Sequence, residues 1–64
     1  MDFHALVDRV RAEFNEMPGL RLTVSQATRL WGLERTVCLT VVDALVRSSF
    51  LRWGHGGTIV RAVQ

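Results

Sequence analysis

The side chains with the most chemical potential in this sequence are its arginines. Arg9, Arg11, Arg21, Arg29, Arg35, Arg47, Arg52 and Arg61 carry all the fixed positive charge, and no lysine accompanies them. A guanidinium forms bidentate hydrogen bonds to phosphate or carboxylate in a geometry that an ammonium lacks. Their placement is uneven. Before position 21, Asp2, Asp8, Glu13 and Glu16 outnumber Arg9 and Arg11, whereas the other six arginines face only Glu34 and Asp43. A basic C-terminal two-thirds suits a polyanionic partner. The competing reading is a solvated surface with ordinary ion pairs. Asp43 stands one helical turn before Arg47, so these two are expected to form a surface pair worth about 0.3–0.5 kcal/mol.

The other reactive residue types form no catalytic or ligating pattern. His4 and His55 fall in different segments, and no Cys/His/Asp/Glu spacing matches a metal site. Ser25, Ser48 and Ser49 have no partner base evident in the sequence. Gly54, Gly56 and Gly57 are not followed by a lysine or a helix, so they do not form a phosphate loop. Cys38 reads as a small core residue, because a reactive thiol needs exposure and a cationic setting. Trp31 and Trp53 are read as core or half-buried packing residues rather than stacking platforms. No enzyme, metal, cofactor or small-molecule ligand is expected.

At 64 residues the chain reads as one domain, residues 1–64. So small a domain buries only about 60% of the surface its unfolded chain exposes, and a hydrophobic content of 48% meets that demand. One proline and no low-complexity segment argue against disorder. No apolar run approaches the roughly 18 residues a membrane span requires. The opening MDFHALVDRV lacks the charge pattern of a secretion signal, and the single cysteine rules out an internal disulfide. A cytoplasmic protein with no membrane association is therefore expected.

Five segments must position these residues. Phe3, Leu6, Val7, Val10, Phe14 and Met17 recur at helical spacing, so a first helix is expected over about 3–17, capped by Asp2 and stopped by Pro18-Gly19. Leu20-Arg21-Leu22 alternates like a brief strand or an extended connector, and is a candidate third strand of a sheet. Thr23-Val24-Ser25-Gln26 fits a capping box opening a second helix over about 24–31, with Ala27 and Leu30 facing inward and Gly32 ending it in a left-handed turn. A third helix over about 35–48 buries Cys38, Val41, Val42 and Leu45 and turns Thr36, Thr40, Asp43 and Arg47 outward. Two helices joined by a short glycine-containing turn are the sign of a helix-turn-helix. Phe50–Trp53 and Thr58–Val63 are rich in β-branched and aromatic residues. They read as a hairpin over about 50–62, and the three glycines between them suit positive backbone angles. The expected fold class is α+β, mainly α.

These residues together resemble a known family. Leu22-Thr23-Val24-Ser25-Gln26-Ala27-Thr28-Arg29-Leu30-Trp31-Gly32-Leu33 is similar to the second helix and turn of bacterial winged helix-turn-helix regulators. Arg35-Thr36 through Val42–Val46 is similar to their third helix. Phe50-Leu51-Arg52, the glycine-rich turn and Thr58-Ile59-Val60-Arg61 resemble their wing. The resemblance implies a three-helix winged helix-turn-helix with a C-terminal β-hairpin wing. It implies binding of double-stranded DNA, with the third helix in the major groove and the wing on the backbone or minor groove. It carries reading positions onto Arg35, Thr36, Leu39 and Thr40, and wing contacts onto Arg52, His55 and Arg61. A module this small would need a homodimer or a partner protein for useful specificity.

The sequence departs from the family pattern in three places. Leu39 and Thr40 stand where basic or amide side chains are common. Glu34 replaces a serine or aspartate cap, and Ser48-Ser49 replaces a glycine. The first two weaken direct base reading. Leu39, Val46, Val37 and the weakly polar third helix favour the alternative of a protein–protein interaction module that uses this face without binding DNA.

Overall fold

The computed structural model describes residues 2–62. Chain order is α1 (Phe3–Glu16), β1 (Arg21–Leu22), α2 (Val24–Trp31), α3 (Arg35–Arg47), β2 (Leu51–Trp53), a single 3₁₀ turn (His55–Gly57) and β3 (Ile59–Arg61). The class is α+β and mainly helical. The expected helices end one residue early at α1 and α3, where Met17 and Ser48 act as caps. Val63, which the expected second hairpin strand included, lies outside the described residues.

Local chemistry explains the boundaries. The Asp2 carboxylate accepts from the His4 N–H and opens α1. At α2 the Thr23 hydroxyl accepts from the Gln26 N–H at 3.2 Å, and the Gln26 side chain accepts from the Thr23 N–H at 2.9 Å. Two orphan amide donors are thereby satisfied at once. Gly32 sits at φ 65°, and the Leu33 N–H crosses it to the Thr28 carbonyl at 3.1 Å. The end of α3 uses the same device without a glycine. Ser49 takes φ 65°, the only non-glycine residue with positive φ among those described. Its N–H donates to the Val46 carbonyl at 3.0 Å, and the Phe50 N–H donates to the Leu45 carbonyl at 2.9 Å. This is a Schellman closure, with serine in the left-handed position that glycine normally fills.

The three strands form one antiparallel sheet in the order β1-β3-β2. β3 pairs with both neighbours: Arg21 faces Val60, Leu22 faces Ile59, and Leu51, Arg52 and Trp53 face Arg61, Val60 and Ile59. Arg21–Leu22 therefore supplies a third strand, and the two-stranded hairpin, marginal by itself, becomes the centre and one edge of a sheet. Leu22, Leu51 and Ile59 turn to the helices and join Val10, Phe14, Ala27, Trp31, Cys38, Val41, Val42 and Leu45 in one core. Phe14 and Trp31 meet edge to face with ring centroids 6.3 Å apart, a favoured aromatic geometry.

Three expectations are corrected. Leu30 is not inward but 51% exposed, while Trp31 is buried beside Ala27. Ala27 and Trp31 are one helical turn apart, so they stack on a single stripe, and in an eight-residue helix the large indole fills the core that Leu30 would have entered. Phe3 and Met17, at the two ends of the apolar stripe that runs along α1, are both exposed. Trp53 is exposed at the end of the edge strand β2. Gly54 has φ −91° rather than a positive angle. Its reason is close approach, because a Cβ there would lie 2.8 Å from the Thr58 hydroxyl oxygen and 3.4 Å from the Val60 methyls.

Candidate nucleic-acid interface

The exposed stripe of α3 follows from its buried one. Cys38, Val41, Val42 and Leu45 are fully buried, so helical geometry turns Arg35, Thr36, Leu39, Thr40, Asp43 and Arg47 to solvent, and all six are exposed. The four expected reading positions therefore share one open surface. Glu34 precedes them as the N-cap, and its carboxylate makes no capping hydrogen bond. The Thr40 hydroxyl donates to the Thr36 carbonyl at 2.9 Å. Its proton is committed within the helix, and its oxygen keeps only acceptor capacity. Arg47 pairs with Asp43 at 3.0 Å with both side chains well exposed, so this end of the stripe is electrically balanced. Arg35 alone brings an unneutralised charge to the reading positions.

Cys38 lies beneath this stripe. Burial pushes its thiol up, and the Arg35 guanidinium draws it back only in part. Removing a thiolate from water costs more than a partly solvated cation returns. The thiol therefore stays protonated and packs as an apolar group.

The three expected hairpin positions do not converge. Side chains alternate across a strand, and Arg52 faces Val60 whereas Arg61 faces Leu51. The two arginines therefore leave the sheet on opposite sides. Arg52 is exposed on the outer face. Arg61 is half-buried, with its guanidinium 4.1 Å from the Phe50 ring centroid. Its Nη1 donates to the carbonyls of Phe50 at 3.3 Å and Ala62 at 3.2 Å. Arg11 approaches the same ring at 5.5 Å. Arg61 is thus an internal clasp between the end of α3 and β3. His55 is exposed at the hairpin tip, where its carbonyl accepts from the Thr58 hydroxyl at 3.0 Å.

One cation was not among the expected contacts. Arg21 pairs with Val60 from the β1 side as Arg52 does from the β2 side, so both lie on the outer face with Val60 between them. The alternation of Leu20-Arg21-Leu22 was the available signal, but the partner strand could not be read from it.

No family model, curated protein or solved structure matches this chain. Among the described residues, no group of three or more His, Cys, Asp and Glu is arranged to hold a metal ion, and no helix is long and apolar enough to cross a membrane. The surface offers cation and hydroxyl chemistry on α3 and cation chemistry on the sheet. Beside them, Leu22, Gln26, Arg29 and Leu30 line a shallow open groove between β1 and α2.

Proposed function

We propose that this chain is a winged helix-turn-helix domain that binds double-stranded DNA as a transcription regulator in the bacterial cytoplasm. In this reading α3 enters the major groove and the β2–β3 hairpin is the wing against the backbone. The observation that carries it is the conjunction of chain order with α3's free face. A helix, a short strand, two helices bent at a left-handed glycine, and a hairpin whose second strand sits centrally in the sheet leave Arg35, Thr36, Leu39 and Thr40 together in solvent. Arg35 serves phosphate or guanine. Thr36 offers a donor to phosphate, and Thr40, with its proton committed, is suited to accept from a base amino group.

The expected binding is modest and salt-dependent. One small module buries about 600–1,000 Å² against DNA, and α3 brings one unpaired cation to its reading positions. Specificity then requires two copies, or a partner protein, on neighbouring half-sites. Titration of a labelled duplex from low to physiological salt tests this. Binding that weakens steeply as salt rises supports the proposal, because neutralised phosphates release counterions. No binding at low salt, or affinity indifferent to salt, rejects it.

A second reading is favoured by Leu39, 36% exposed on a stripe where Asp43 and Arg47 neutralise each other and only Arg35 stays unpaired. That reading makes α3 a protein-binding surface. Light scattering discriminates: a stable dimer lost on Leu39→Lys would place a protein, rather than DNA, against α3.

A further inference from the structure

The outer face of the sheet carries chemistry that α3 does not use. β3 is central, and its Val60 faces Arg21 on one side and Arg52 on the other. Strands lie about 4.8 Å apart, so the two arginines stand about 10 Å apart in one cross-strand row. Both are exposed and neither makes a salt bridge among the described residues. No carboxylate competes nearby in the chain, since residues 17–33 and 44–62 contain neither Asp nor Glu. All of the acids lie within α1 and α3 or at the N-caps of these two helices.

Val60 between them is only 7% exposed although it faces away from the core. Directly opposed side chains on one sheet face have Cβ atoms about 4.5–5.5 Å apart, within reach of an arginine's methylene stem. The hairpin tip closes a further side, with Gly54 set against the Val60 methyls and the Thr58 hydroxyl. An arginine whose stem lies along apolar surface keeps its guanidinium in water and loses less freedom on meeting a ligand than an unsupported one.

We propose that Arg21 and Arg52 form a two-point contact to the phosphodiester backbone of nucleic acid on the outer face of the sheet, with Val60 as the apolar support between them. The contact reads charge and spacing rather than bases, and it spans β1 and β2 instead of residing in the hairpin alone. Arg61, from the opposite face, takes no part. This inference rests on the DNA-binding reading and assigns the backbone contact within it.

The test is a titration of a labelled duplex between 50 and 200 mM salt with the whole chain. Neutralising both arginines in Arg21→Gln/Arg52→Gln should make the slope of log affinity against log salt about 1.8 shallower, at about 0.9 for each phosphate that is no longer neutralised. Arg21→Lys/Arg52→Lys keeps the charges and should restore most of the slope. Arg21→Gln alone should remove about half of the change. Circular dichroism confirms that each variant is folded. If the wild type binds duplex but the Gln variants keep its slope, this inference falls and the DNA-binding reading stands. If the wild type binds no duplex at low salt, both fall.

Discussion

The guanidinium of Arg61 lies over the ring of Phe50 at 4.1 Å and also donates to the Phe50 carbonyl. One side chain thereby holds the residue that closes α3 against the strand that centres the sheet. A partly desolvated cation–π contact contributes about 1–2 kcal/mol, and hydrogen bonds from a charged donor add to it. Arg61→Gln is expected to destabilise the fold by about 2 kcal/mol in urea unfolding. It should leave the salt dependence of duplex binding as in the wild type. A shallower salt slope in a folded Arg61→Gln protein would reassign this arginine to the ligand.

Ser49 and Gly32 occupy the same left-handed conformation, and only one of them is suited to it. A left-handed L-residue costs about 1–2 kcal/mol, offset in part by the greater freedom of glycine in the unfolded chain. Ser49→Gly should therefore raise stability by about 0.5–1 kcal/mol. Gly32→Ala should lower it by about 1–2 kcal/mol. No atom would crowd a Cβ at Gly32, so that loss reports backbone strain alone. Thermal melts of both variants measure the pair, and a stabilising Gly32→Ala would contradict the turn.

Leu30 and Trp31 are neighbours with opposite surroundings. Trp31→Ala should cost about 3–5 kcal/mol, as for a large aromatic removed from a core. Leu30→Gln should stay within about 0.5 kcal/mol of the wild type, as for a surface substitution. Chemical denaturation of the two variants reads the difference directly. Comparable losses would mean that α2 is rotated from the facing described above.

Among the side chains, alkaline pH singles out Cys38, because the sequence contains no tyrosine and no lysine. Its folded thiol is held above the ordinary range by burial, so the unfolded chain loses the proton first. The stability this contributes is fully present below the ordinary thiol range. It is lost as pH rises through that range toward the folded value. Stability should fall above about pH 8.5 with a slope approaching 1.4 kcal/mol per pH unit at most. Cys38→Ala should flatten that dependence while lowering stability at neutral pH. Urea midpoints from pH 7 to 10 give both slopes, and an equal decline in Cys38→Ala would assign the loss to another group.

Much of this protein could be read directly along the chain. The span of α2, the capping box of Thr23 and Gln26, the left-handed Gly32, the buried stripe of α3 and the Asp43–Arg47 pair all came from spacings of three to five residues. Such features are settled by hydrogen bonds and side-chain contacts within a turn or two of helix. Tertiary structure decided what distant segments do to one another. Strand parity sent Arg52 outward and Arg61 onto Phe50, and the addition of β1 brought Arg21 beside Arg52 although α2 and α3 lie between them in the chain. Which of Leu30 and Trp31 entered the core was likewise settled by the space left between α2 and its neighbours. A strand's faces are assigned only once its partner and register exist, because a shift of one residue exchanges every side chain between core and solvent.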